Sequence, residues 1–235
     1  NLTHDADLLA AIRAFRVASV ASCRYNQQIT SAEVLFIQAA TPADAFGLLS
    51  VLVPNDAQTI AADRSIRATH IGNAAMRMAA QQGTVCVVID VAGRVDLDSI
   101  RQSSRRLMDS IMSSLPAADL PLMVQAIAHL QQPGAQAWLV RDVAVLAKVE
   151  QPLVRRVASN SVGRMIGLAA DTTLSIAAIP ANDKVPACLI WLAEYRTPGA
   201  AKAAYGRCKA ASRPADSSHD LHLTVLEPKS NHLAG

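Results

Sequence analysis

The alternation of apolar and polar positions divides this chain into short strands and a few helices. Two stretches stand out. Residues 31–50, SAEVLFIQAATPADAFGLLS, pass from an apolar run through Thr41-Pro42 into an alanine- and leucine-rich segment. Residues 187–208, ACLIWLAEYRTPGAAKAAYGRC, do the same through Thr197-Pro198. A threonine hydroxyl caps a helix well. A proline at the first helical position gives up only an N–H that has no intrahelical partner there. Each stretch therefore reads as strand, corner and helix. Residues 17–25 and 29–39 flank the polar turn Asn26-Gln27-Gln28, which predicts an antiparallel hairpin leading into the first stretch. Leu8, Leu9, Ile12 and Phe15 recur at three- and four-residue spacing, which predicts a helix over 5–15.

Residues 66–91 read as a meander of three strands, 66–71, 74–80 and 84–91. Gly72-Asn73 and Gly83 punctuate it. The last strand, VCVVIDV, is β-branched and nearly unbroken in hydrophobicity, so it is expected to be buried on both faces. Asp96 or Asp98 then caps a helix to Leu115. Ile100, Leu107, Ile111 and Leu115 form its buried stripe, and Arg101, Arg105 and Arg106 its exposed side. Pro116 and Pro121 mark the best boundary. Beyond it the pattern predicts a helix over 122–131 and an apolar run over 137–149 that turns tightly at Arg141-Asp142. A basic segment over 152–163, a strand over 172–180 and the second Thr-Pro stretch come next, with a last strand over 221–226. The connection up to Ser65 and the tail from Pro228 are polar and read as loop.

This succession predicts an α+β fold with two similar halves, 1–116 and 117–235. Each half is an antiparallel sheet with helices packed on one face. In each, a hairpin precedes the Thr-Pro helix and further strand comes after it, the order that an internal duplication leaves.

Composition refines this picture. The 235 residues are 51% hydrophobic but only 3% aromatic, so the core is closely packed aliphatic side chains with few large anchors. The net charge of +3 is scattered, with no block of like charge, and no nucleic-acid partner is expected. No apolar run reaches about 18 residues, so no membrane span is expected. Membrane association would come only through a partner or a removed leader. Cys23, Cys86, Cys188 and Cys208 form no CxxC, which sets aside zinc, iron–sulfur and thioredoxin chemistry. Buried free thiols are the favoured reading, with disulfides in an exported protein as the alternative.

Candidate chemistry is sparse. Asp90, Asp96 and Asp98 cluster where a strand turns into a helix and are the only metal-binding candidates of note, but helix capping explains two of them. His219 and His222 lie at a spacing that sends them to opposite faces of a strand. No Gly-x-Gly-x-x-Gly, Walker or Gly-x-Ser-x-Gly signature is present, and no cofactor is expected. Trp138 and Trp191 read as core, with an interface anchor as the alternative. Candidate interface residues are Trp191, Glu194 and Tyr195 at the end of a strand, and Arg101, Arg105 and Arg106 on a helix face.

The order of TPADAFGLLS, the meander IGNAAMRMAAQQGTVCVVIDV and LIWLAEYRTPGAAKAAYGRC resembles an uncharacterised bacterial domain-of-unknown-function family. In that family a P-x-x-A-F-G helix follows a strand, and a later strand runs into an alanine-rich helix. Many members are exported or lipid-anchored. The resemblance spans residues 9–226. It departs at HDADLLAAIRAF, where the family has an acidic, Gly-Ala-Ala and Tyr-rich segment, and in the meander, where Ala and Met replace aromatics. It implies a periplasmic or extracellular location and brings no catalytic residues.

The residues and the resemblance together favour a non-enzymatic exported accessory or scaffold subunit. It would act through protein–protein contacts at the outer face of a membrane-bound complex. The alternatives are a small-ligand-binding protein with a cleft between the halves, and a metal-dependent hydrolase using Asp90, Asp96 and Asp98.

Overall fold

A computed structural model describes residue 9 and residues 12–27, 29–53, 58–61, 66–70, 75–94, 96–128, 136–141, 146, 166–168, 172–179, 188–211, 226–229 and 232–234. The chain divides into two compact units, Asn1–Pro121 and Leu122–Gly235. The first holds β1 (Val17–Gln27), β2 (Thr30–Ala39), α1 (Pro42–Leu52), β3 (Gln58–Ala61), β4 (Ile66–His70), β5 (Ala75–Gln82), β6 (Val85–Gly93) and α2 (Leu97–Ser114). The second holds α3 (Leu122–Ala128), β7 (Gln136–Val140), β8 (Thr173–Ile179), β9 (Cys188–Glu194), α4 (Pro198–Ala211), β10 (Leu226–Lys229) and β11 (His232–Ala234). The sheets run β1-β2-β6-β5-β4-β3 and β10-β11-β9-β8-β7, antiparallel throughout. This is the expected α+β class, with one antiparallel sheet in each unit.

Both Thr-Pro corners work as their chemistry demands. Thr41 Oγ1 accepts the Asp44 N–H at 3.1 Å and donates to Asp44 Oδ2 at 2.7 Å. Thr197 Oγ1 accepts the Ala200 N–H at 3.2 Å. The first cap is locked further by Arg16, whose Nη2 lies 3.2 Å from the fully buried Asp44 carboxylate. Capping of this kind is worth about 1 kcal/mol per helix.

In the first unit the two helices divide the sheet faces between them. Val87, Ile89 and Val91 of β6 join Met76, Met78 and Ala80 of β5 in one cluster, sealed by Ile100, Met108 and Met112 of α2. Residues of the opposite parity lie against α1, where Arg77 Nη1 donates to the Leu52 carbonyl and the Arg67 guanidinium sits 5.7 Å above the Phe46 ring. A helix on each side is why Cys86, Val87, Val88 and Ile89 are all buried. The deepest line of α2 is Ile100, Ser104, Met108 and Met112, with Leu107, Ile111 and Leu115 half-buried beside it. The expected stripe is thus rotated by one residue, because an apolar stripe on a helix is about 100° wide and methionine reaches furthest into it.

β5 and β6 are joined by a two-residue turn, with Gln82 opposite Val85 and Gly83 at φ +56°. An L-residue there pays about 1–2 kcal/mol. Gly83→Ala is expected to lower the urea midpoint accordingly without changing the oligomeric state.

Two stretches read as loop are strands. β3 pairs with β4 inside the supposed polar connection. β10 and β11 form a hairpin from the polar tail, and β11 pairs with β9. Polar sequence is no obstacle at a sheet edge, and proline is tolerated in an outermost strand such as β10, which carries Pro228. The helix over 5–15, the turn at Arg141-Asp142, the basic segment and the strand over 221–226 lie wholly or mostly outside the described residues.

The two units share a topology. β8 and β9 form a hairpin, the Thr-Pro helix α4 comes next, and β11 of the β10–β11 hairpin pairs with β9. β1, β2, α1 and the β5–β6 hairpin, with β6 on β2, repeat this order. The units differ at one sheet edge. β8, the counterpart of β1, carries β7 on its outer side, whereas β1 ends its sheet among the described residues.

Candidate interaction surface

β1 is long and carries little apolar bulk. Residues 17–26 are all exposed, on both faces of the strand, and Val20 and Tyr25 are each 58% exposed. By contrast Leu174, Ser175, Ile176 and Ala177 of β8 are fully buried.

The direction of the open backbone groups follows from two hydrogen bonds. Ala39 N donates to Thr84 O at 2.8 Å, so odd-numbered residues of β2 turn their peptide groups toward β6. Even-numbered residues of β2 then face β1, as the 2.8 Å bond from Ala40 N to Arg16 O agrees. Since Gln38 opposes Ser19, odd-numbered β1 residues pair inward. The N–H and C=O groups of Val20, Ser22, Arg24 and Asn26 point out from the sheet edge.

Natural edges are usually blunted by proline, lysine or uncompensated charge. β1 has no proline or lysine, and its one charged side chain is neutralised at home. Arg24 Nη2 lies 3.2 Å from Glu33 Oε2 on β2. Both groups are exposed, so the pair adds little stability, but it leaves the edge without free charge. The same cross-strand row continues through Asp90 to Arg77. Arg77 grips both Asp90 oxygens as a fork, Nε–Oδ1 2.7 Å and Nη2–Oδ2 2.6 Å, and this hydrogen bonding raises the guanidinium pKa. A shallow hollow of about 370 Å³ lies along the row, lined by Arg24, Asn26, Ser31, Glu33, Asp90 and Ala92 among others.

The three aspartates singled out from sequence are thus separated in role. Asp90 is held by Arg77. Asp96 caps α2, accepting from Ser99 N at 2.8 Å and Ser99 Oγ at 2.6 Å, which lowers its pKa. Asp98 lies 3.8 Å from Arg101. Among the described residues no three His, Cys, Asp or Glu side chains are grouped to hold a metal ion, and no helix is long and apolar enough to cross a membrane. His219 and His222 lie outside the described residues.

The candidate interface residues divide as well. Trp191 and Tyr195 are core, 3% and 4% exposed, and Tyr195 donates its hydroxyl to the Ile166 carbonyl at 2.6 Å. Burial raises the pKa of that hydroxyl. Trp191 is one end of a cross-strand row, Trp138–Ile176–Trp191, that forms the aromatic centre of the second sheet. Glu194 is half-buried, its Oε1 3.7 Å from His232 Nε2. On α2, Arg105 pairs with Asp109 at 2.9 Å, while Arg101 and Arg106 are exposed. The feature that residue-by-residue reading passes over is β1 itself. Its signal in the sequence is an eleven-residue strand of small and polar side chains.

Cys23 and Cys86 are free thiols, the first exposed and the second buried, and Cys208 is buried as well. Burial pushes Cys86 from 9.0 to about 12 and raises Cys208. Both are therefore protonated and shielded at neutral pH. Alkylation of the native protein is expected to modify Cys23 at once and Cys86 and Cys208 only on unfolding, which peptide mass spectrometry reads directly. The folded state holds the Cys86 proton more tightly than the unfolded chain. Its contribution to stability is complete below pH 9.0 and is lost as pH rises toward about 12. Burial lowers the neighbouring Arg67, an effect of opposite sign that enters only near and above about 10. Cys86→Val is expected to flatten the fall in urea midpoint just above pH 9.0.

No family model matches the chain, and comparison with curated proteins and with solved structures gives no match.

Proposed function

We propose that this protein is a non-enzymatic accessory or scaffold subunit that works through protein–protein contacts, and that β1 is its docking strand. One observation carries this reading: an eleven-residue edge strand, exposed on both faces, with no strand paired outside it among the described residues. An added strand would satisfy those groups by backbone hydrogen bonding, the recognition mode in which main-chain pairing supplies affinity and side chains supply register. The second unit supports the idea by analogy, since β8 carries the antiparallel β7 at the equivalent position. An exported location and a place on the outer face of a membrane complex belong to the proposal through the family resemblance alone.

The test is affinity capture with Ser22→Lys as the paired control. Ser22 is exposed and its peptide N–H faces outward, so lysine there leaves the fold intact while guarding the edge. Chains retained by the wild type are expected to be lost from the variant. Equal retention by both would overturn the assignment of β1.

A further inference from the structure

We propose that the strand occupying the β1 edge is β1 of a second copy of this chain, paired about a two-fold axis that passes through Cys23. This rests on the reading of β1 as a docking strand and names its occupant.

The edge sets its own register. Its regular part is bounded by the irregularity between Val17 and Ser19 at one end and by the hairpin turn after Gln27 at the other. Within it the outward peptide groups belong to Val20, Ser22, Arg24 and Asn26. A two-fold antiparallel pair matches residue i with a residue j such that i and j have a constant sum. Only one register pairs all four outward residues on both copies: Val20 with Asn26 and Ser22 with Arg24, each twice. Each such pair exchanges two hydrogen bonds, about eight in all. The midpoint is Cys23.

The side chains accept this register. On the α1 side Arg24 meets Ser22, not the other Arg24, and each Arg24 is already neutralised by its own Glu33. A shift by one pair toward the turn would set Arg24 against Arg24, and a shift the other way would leave Asn26 without a partner within the regular stretch. On the opposite face Tyr25 lies over Ala21 of the other copy, covering a ring that is 58% exposed in the single chain. Cys23 faces Cys23 as a non-hydrogen-bonded pair, whose Cα atoms lie roughly 4.5 Å apart. That is inside the roughly 4.4–6.8 Å range that a disulfide spans. The two six-stranded sheets become one sheet across the axis.

Sedimentation analysis of the purified chain is expected to give a dimer. Diamide, accepting two electrons and two protons from the pair of thiols, is expected to convert it to a covalent dimer joined Cys23 to Cys23. Cys23→Ser should abolish the cross-link but keep the dimer. Ser22→Lys sets a lysine against Arg24 of the other copy at two places and should give a monomer. Ser22→Pro removes only an outward N–H and should do the same, so a folding fault in one variant leaves the other as the test; circular dichroism confirms the fold of each. A monomeric wild type, a dimer unmoved by both Ser22 variants, or a cross-link through another cysteine overturns the proposal. A monomeric wild type whose captured partner is lost with Ser22→Lys overturns only the second copy as occupant. A wild type that is monomeric and a variant that captures equally well overturn the docking strand too.

Discussion

Trp138→Ala is expected to cost about 3–5 kcal/mol. Trp138 is fully buried at the end of the row Trp138–Ile176–Trp191, in a chain with only two tryptophans. Alanine would leave a cavity beside Ile176, the cross-strand neighbour of Trp138, and rigid cores relax only in part. The matched control is Trp138→Phe. Among the described residues the buried indole Nε1 has no hydrogen-bond partner, as is also true of Ser175 Oγ on the next strand. A buried polar group without a partner costs about 1–3 kcal/mol. Phenylalanine removes that penalty while keeping most of the ring, so it is expected to be far milder than alanine. Urea unfolding of the pair reads the difference. Equal losses would show that the nitrogen is not a burden and that shape alone matters.

Gly47→Ala sets two physical effects against each other, and packing is expected to win. In the interior of a helix, glycine is less favourable than alanine by about 0.8–1.0 kcal/mol, so propensity alone predicts a gain. A Cβ at Gly47 would instead run into the Phe15 ring, which is 2% exposed and lies flush on α1. The obstacle is a buried aromatic ring, and overpacking of this kind costs about 1–3 kcal/mol. The variant is therefore expected to be less stable than the wild type. Phe15→Ala alone is expected to cost about 3–5 kcal/mol. Combining the two should cost less than their sum, because the added methyl then has the space the ring vacated. An alanine variant as stable as the wild type would mean that the ring moves aside freely.

The legibility of the fold tracks how local each signal is. The Thr-Pro corners are readable because a cap is made by residues three apart in sequence: Thr41 with Asp44, and Thr197 with Ala200. The β1–β2 hairpin and the meander are readable because turn chemistry and alternation lie within a few residues. β3 and β10–β11 are not, since their polar sequences become strands only because β4 and β9 offer an edge to pair with. From sequence Trp191 reads as core with an interface anchor as the alternative, and Tyr195 as an interface candidate at the end of a strand. The tertiary structure turns them inward, Tyr195 because its hydroxyl finds the Ile166 carbonyl twenty-nine residues away.

From sequence alone come the order of the elements apart from β3, β10 and β11, the two capped helices, the apolar character of β6 on both faces and the α+β class. All rest on contacts made within a helical turn or a strand repeat. Which strand ends each sheet is decided only in three dimensions, because pairing joins residues tens of positions apart, as Val34 joins Ile89. In the second unit the place beside β8 is filled by β7. In the first, the chain supplies no strand beyond β1 among the described residues. That open edge arises from topology, not composition, and it carries the functional proposal.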